Sequence, residues 1–216
     1  MHARANAGTT GRYVAATLVL CAAVARGGQP EPADPATSEA LARCHEADQV
    51  SAAERLAVLA RGLDRAEQAV RANPRDAVAH FAVFCNLGKR LRLQMKQRGA
   101  GWFSMLGSLG RVQKEIDIAL TLAPDYAVAL AAKGEMLVEM PRLFGGDPRE
   151  GERLLRRAVA LDPDDPQMRL MLANALRDAG ERDQARAHAT IALGILEHAG
   201  SASELADARG LVANLR

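Results

Sequence analysis

Apolar residues recur at helical spacing through most of the chain from about residue 38, and prolines interrupt this pattern in a repeated way. The segments 69–74, 119–124 and 158–163 each begin with alanine, continue with an apolar residue and end in proline. Proline ends a helix because it lacks a backbone donor and its ring clashes with the preceding turn. The pattern therefore predicts an all-α protein built from successive helices joined by short turns.

The interrupted pattern is an internal repeat with fixed positions. A small residue is followed by a bulky residue four positions later, a small residue three beyond that, and proline after five more. Four copies are Gly62, Ala66, Ala69, Pro74; Val112, Ile116, Ala119, Pro124; Gly151, Leu155, Ala158, Pro163; and Ala185, Ala189, Ala192, with Glu197 in place of proline. Small residues at these positions let paired helices approach closely.

The repeat resembles the tetratricopeptide repeat. The equivalent alanines Ala69, Ala119, Ala158 and Ala192 are 50, 39 and 34 residues apart, and the family's own period is 34 residues. The resemblance implies a right-handed superhelical solenoid of about four helix hairpins with two insertions. The segment 203–215 is then predicted to be a C-terminal capping helix over the last repeat.

Helix starts are marked independently of the repeat. Ser51 with Glu54, Asp147 with Glu150, and Ser201 with Glu204 have the spacing of capping boxes. Gly180 is predicted to make the turn inside the last hairpin. These starts agree with the repeat boundaries.

The first 25 residues have a different character. Arg4 and Arg12 precede an apolar run over 13–24, and no acidic residue is present. This predicts a signal peptide over 1–25, because the run is shorter than the roughly 20 residues that span a membrane. An uncleaved anchor and lipidation at Cys21 are the alternatives that would attach the chain to a membrane. Residues 26–37 are predicted to be a flexible leader, and 38–216 the repeat domain.

Charge and cysteines restrict the function classes. Without Arg4 and Arg12 the chain has 26 basic and 26 acidic residues, which disfavours nucleic-acid binding. Cys44 and Cys85 remain after the signal, either as a disulfide in an oxidising compartment or as small buried apolar residues. No motif for a metal, another cofactor or catalysis is found, so we expect neither a cofactor nor an enzyme.

A binding surface is predicted on the first helix of each pair, which lines the concave side of such arrays. The projected residues are Val78, Phe81, Cys85, Val128, Ala131, Glu135, Gln167, Leu170 and Asn174. Most are apolar, which indicates an apolar ligand or a protein partner. Packing against an inserted loop or a second copy of the chain in a homo-oligomer is the alternative.

Two insertions add further candidates. The longer one, near 99–110, holds Trp102 and Phe103, which either form a contact surface or fold back over the groove. In the shorter one, over 140–148, Pro141, Gly145, Gly146 and Asp147 are expected to shape the turn. Arg142 and Phe144 remain as candidate contact residues.

The shorter insertion, with its Pro-x-x-x-Gly-Gly-Asp pattern, resembles the T-components of tripartite ATP-independent periplasmic (TRAP) transporters over about residues 75–197. This resemblance implies a periplasmic protein that binds the transporter's solute-binding component. The leading interpretation is thus an exported protein that binds a partner protein or apolar ligand in its groove. The alternative is a structural or assembly scaffold of the cell envelope.

Overall fold

A computed structural model describes residues 29–98 and 106–215, and every element in these ranges is helical. The elements are α1 (Pro35–Gln49), α2 (Ala52–Ala72), α3 (Ala77–Arg98), α4 (Leu106–Leu122), α5 (Ala127–Glu139), a 3₁₀ turn (Arg142–Phe144), α6 (Pro148–Leu161), α7 (Pro166–Asp178), α8 (Arg182–Ala199) and α9 (Ala202–Asn214). The predicted signal peptide lies outside these residues. None of the helices in the described ranges is long and apolar enough to cross a membrane.

The helices form hairpins in chain order. Helices α1 and α2, α3 and α4, α5 and α6, and α7 and α8 pack as pairs, and α9 packs on α8. This confirms the predicted all-α fold of four hairpins followed by a capping helix.

Close approach inside the α5–α6 hairpin explains two of its glycines. A Cβ atom on Gly134 would lie 2.8 Å from the carbonyl oxygen of Gly151, and one on Gly151 would lie 2.6 Å from that of Gly134. The two backbones therefore touch, as the small positions of the repeat predict. Gly180 has a φ of 87° and makes the predicted turn before α8.

The core runs along the interior of the hairpins. Ile116, Leu155, Ala158 and Ala189 are fully buried, and each occupies a repeat position identified in the sequence. One large apolar cluster connects α5 to α9, and smaller clusters connect α1 to α5.

Two of the three predicted capping boxes form. The carboxylates of Glu54 and Glu204 accept hydrogen bonds from the backbone N–H groups of Ser51 and Ser201, at 3.3 and 2.9 Å. Asp147 caps α6 by accepting from two backbone N–H groups, but its own N–H donates to the carbonyl oxygen of Leu137. Glu150 pairs with Arg153 instead, so the predicted box with Glu150 is wrong.

Two predicted boundaries also differ from the structure. Helix α1 begins at Pro35, three residues inside the predicted leader, because the Asp34 side chain accepts from the N–H of Thr37 and Pro35 occupies the first turn. Helix α4 begins at Leu106, so residues 106–110 of the longer insertion are helical. Part of this insertion is also absorbed by α3, which has 22 residues where α5 has 13.

Candidate binding groove

Side chains on the first helices of the four hairpins line an open groove of about 490 Å³. Its walls come from α1, α3, α5 and α7, with contributions from the start of α4 and from the loop after α5. This is the concave position predicted from the sequence. The lining side chains are mainly apolar, so the groove offers a surface that gains free energy when a partner removes it from water.

An aromatic cluster supports the floor of the groove. The ring of Phe81 stacks against Phe84 with centroids 5.8 Å apart, and it forms a T-shaped pair with Tyr126 with centroids 5.2 Å apart. Phe81 is only 5% exposed. It therefore acts mainly as packed support, while Phe84 is half-exposed to the groove.

Methionines form much of the remaining lining. Every methionine in the described part of the chain faces the groove: Met95, Met136, Met140, Met168 and Met171. Methionine is unbranched and has a polarisable sulfur, so it adapts to ligands of different shape and is frequent at surfaces that bind several partners. Met95 is 55% exposed, which leaves part of this surface open to solvent.

Most charged groups of the lining are already paired within the chain. Lys89 forms an ion pair with Asp48 and donates to the carbonyl oxygen of Cys44 at 3.0 Å. Arg92 pairs with Glu139 at 2.9 Å. These pairs neutralise the two basic groups that the α3 wall brings to the groove.

Glu135 differs from these residues. It is half-buried in the α5 wall, and it makes no hydrogen bond or ion pair with any side chain in the described ranges. Burial raises the pKa of Glu135, and the neighbouring charge of Glu139 raises it further, while Arg92 and Lys89 oppose the shift. Glu135 is therefore a carboxyl group in a mainly apolar groove whose two neighbouring basic groups are paired with other carboxylates.

A disulfide fixes one wall of the groove. Cys44 on α1 is bonded to Cys85 on α3, with Cα atoms 6.2 Å apart. The structure thus answers the question that the sequence left open, in favour of the disulfide. Cys85 lines the groove as predicted, but as part of this crosslink between α1 and α3.

The loop after α5 contributes to the lining of the groove. Pro141 and Phe144 line it, and the Phe144 carbonyl oxygen accepts a hydrogen bond from Gln113 Nε2 at 3.2 Å. Gly145, with a φ of 92°, turns the chain back toward α6. Arg142 and Leu143 are exposed on the outside of the turn, and Leu143 is 85% exposed.

The structure brings most of the predicted groove residues together. Those that line the groove are Phe81, Cys85, Val128, Ala131, Glu135, Phe144 and Gln167. Arg142 stands at the exposed turn nearby, and Val78 is buried in the core beside Ile116. Trp102 and Phe103 lie outside the described residues, so their predicted contacts stay a prediction.

Two predicted positions on α7 lie elsewhere. Leu170 is largely buried in the core, and with Asn174 it borders a separate polar depression against α9. The groove face of α7 instead presents Gln167, Met168 and Met171. The projection was wrong by about one residue, since Leu170 packs into the core cluster that connects α5 to α9 and the adjacent Met171 lines the groove.

Sequence reasoning missed the methionines, Phe84 and the paired charges of α3. The methionines carried a usable signal, since five of the seven in the chain recur on three first helices and the loop that follows one of them. The pairing of Lys89 with Asp48 depends on contact between α1 and α3, which no local pattern shows.

The described residues contain no cluster of metal-ligating side chains at the groove. Within 29–98 and 106–215, no three His, Cys, Asp or Glu side chains come together to hold a metal ion. The closest acid and imidazole, Glu115 and His80, are joined at 2.6 Å but are nearly buried between α3 and α4. Neither belongs to the groove lining.

Comparison with known proteins identifies part of the array. Residues 145–193, which cover α6, α7 and most of α8, match the tetratricopeptide repeat family. This is the region whose repeat spacing is most regular in the sequence. Repeats of this type generally mediate protein–protein interactions and are typically non-catalytic.

One curated relative shares a longer segment. The chain is 43% identical over 95 residues to cellulose synthase 2 operon protein C of Komagataeibacter xylinus. The segment amounts to 42% of this chain and 7% of that protein, so the chain spans a small fraction of its relative's length.

Solved structures with similar helical arrays have low sequence identity. PilW, a widely conserved type IV pilus biogenesis factor, is 15% identical with a TM-score of 0.48, over 82% of this chain and 77% of PilW. A thermophilic tetratricopeptide repeat protein of Thermus thermophilus is 20% identical with a TM-score of 0.44, over 82% of this chain and 98% of that chain.

Proposed function

We propose that this tetratricopeptide repeat protein is a non-catalytic scaffold of the cell envelope that holds a partner protein in its concave groove. The observation that carries the proposal is the groove itself, a continuous apolar surface lined by adaptable methionines. A surface of this kind binds a partner because association removes its apolar side chains from water. Such binding requires no reactive group.

The extent of the apolar surface favours a protein over a small molecule. Met95 in the groove lining is 55% exposed, and Leu143, next to the groove residue Phe144, is 85% exposed, so apolar surface is present both in the groove and on the loop beside it. Exposed apolar surface that continues past a concavity is typical of protein interaction sites. A small ligand would leave these side chains in water.

Export to the periplasm is part of the proposal and has two supports. The first 25 residues have the pattern of a signal peptide, and the Cys44–Cys85 disulfide is the form that cysteines take in an oxidising compartment. The relative named for a cellulose synthase operon is consistent with a scaffold role beside an envelope enzyme. A T-component role in a TRAP transporter rests on the loop over 140–148 alone.

Site-specific photo-crosslinking in cells that produce the chain naturally tests the proposal. A photoreactive phenylalanine replaces Met95 in the groove or, as a matched control, Ile191 on α8, which is 46% exposed and outside the groove. We expect a protein adduct at position 95 and none at position 191.

The identity of the adduct separates the two envelope roles. Envelope assembly or polymer synthesis proteins would support the scaffold, and a periplasmic solute-binding protein would support the transporter role. Adducts at position 191 alone, or at neither position, would contradict a partner in the groove.

A further inference from the structure

Most polar side chains that line the groove are already engaged within the chain. His45 and Glu135 are the exceptions among the described residues, so the groove offers few partners for an extended peptide backbone. Among its polar lining residues, Lys89 and Arg92 are paired with Asp48 and Glu139. The Gln167 side chain donates to Glu204 at 2.9 Å, and the Asp165 side chain caps α7 by accepting from the N–H of Met168.

Because these polar side chains are already engaged, the groove discriminates between backbone conformations of a bound segment. An extended segment would bury peptide N–H and C=O groups against apolar side chains, and each unsatisfied group would oppose binding. An α-helix satisfies its own backbone and presents only side chains. The groove therefore suits a helix better than an extended chain.

The methionine lining agrees with this conclusion. A helix in a groove is held through apolar side chains at positions i, i+3 or i+4, and i+7. Flexible methionines on α3, α5 and α7 can adjust to such ridges.

The carboxylate of Glu135 indicates which charge a bound helix should carry. Glu135 stands in the α5 wall without a hydrogen-bond or ion-pair partner among the described residues, and both basic groups nearby are paired. A bound helix that covered Glu135 with apolar atoms would bury an unpaired carboxylate, whereas a basic side chain would neutralise it.

We propose that the partner segment is an amphipathic α-helix with a lysine or arginine in the middle of its apolar face, opposite Glu135. This inference rests on the proposed function, in which the groove holds a partner protein. The apolar anchors fill the space between the methionines. The basic residue fixes the register of the helix along the groove.

Fluorescently labelled synthetic peptides test this assignment with the full, oxidised chain. Each probe is an amphipathic helix of Leu, Ala and Gln, and the probes differ only at one central position of the apolar face, which is Lys, Glu or Pro. We expect the Lys probe to bind at least about tenfold more tightly than the Glu probe. The Pro probe should lose binding because its helix is broken.

Two protein variants locate the effect. In Glu135→Gln, which keeps the size of the side chain, the preference for Lys over Glu should fall to within about twofold. Glu197→Gln on α8 is the matched control, since Glu197 is exposed and outside the groove. It should keep the full preference.

The outcomes separate this inference from the proposed function. Equal binding of the Lys and Pro probes would show an extended ligand, and equal binding of the Lys and Glu probes would refute the role of Glu135. Absence of probe binding together with a protein adduct at position 95 would overturn the helix and leave the scaffold standing. If sedimentation shows that the chain self-associates, and the self-associated form does not bind the probes, the occupant of the groove is a second copy of the chain.

Discussion

At the residue scale, the contact between Gly62 and Asn86 holds three helices in place. Asn86 is fully buried on α3, and its side-chain amide donates to the carbonyl oxygens of Ala40 at 3.0 Å and Ala82 at 2.9 Å. A Cβ atom on Gly62 of α2 would lie 2.1 Å from Asn86 Oδ1. Glycine is thus required where α2 passes the amide that connects α3 to α1.

Gly62→Ala is expected to lower the free energy of unfolding by about 1–3 kcal/mol, because overpacking displaces Asn86 and its buried hydrogen bonds. Gly194→Ala on α8 is the matched control, since nothing lies within 4 Å of its Cβ position. Alanine there should raise stability by roughly 0.5–1 kcal/mol through helix propensity. Urea unfolding followed by circular dichroism measures both, and shifts of the same sign would contradict the role of Asn86.

At the element scale, the position of α1 is fixed by its contacts with α3. The Cys44–Cys85 disulfide and the hydrogen bond from Lys89 to the Cys44 carbonyl oxygen tie α1 to α3. Near the other end of α1, the Thr37 hydroxyl donates to Asp76 at 3.0 Å, and Asp76 also accepts from the N–H groups of Val78 and Ala79. The α1 wall of the groove is therefore held by crosslinks at both ends.

Reduction of the disulfide is expected to cost about 2–4 kcal/mol of unfolding free energy, since the bridged residues are 41 positions apart. Hydrogen exchange should increase first in α1, while α7 and α8 stay protected. The double variant Cys44→Ser with Cys85→Ser is the control, and added reductant should not change its stability. An unchanged unfolding curve of the native chain in reductant would contradict this prediction.

The same elements show what local sequence can and cannot predict. Repeat spacing located the hairpins because proline, glycine and alanine act on the backbone within a turn or two. The projection onto α3 and α5 found Phe81 and Glu135 because both helices follow the repeat. It failed for Leu170, because this side chain packs into the core between the helices, and it could not decide the disulfide, which depends on how α1 meets α3.

At the scale of the whole molecule, the array depends on its last helix. Ala208, Leu211 and Leu215 are buried or nearly so against the core that includes Leu176 and Leu196. Each buried leucine stabilises the fold by roughly 1.5–3 kcal/mol. Without this cover, the apolar side of the α7–α8 hairpin would face water.

Removal of residues 201–216 should therefore destabilise the neighbouring hairpin more than the rest of the array. Repeats in a solenoid contact mainly their neighbours, so the loss should spread from α8 and weaken toward α1. We expect hydrogen exchange to accelerate in α7 and α8, whereas α1 to α3, crosslinked by the disulfide, keep their protection. Ser201→Ala, which removes only the cap and should cost about 1 kcal/mol, is the control. Equal loss of protection in all hairpins would mean that the array unfolds as one cooperative unit, and the groove would then depend on the C-terminal helix along its whole length.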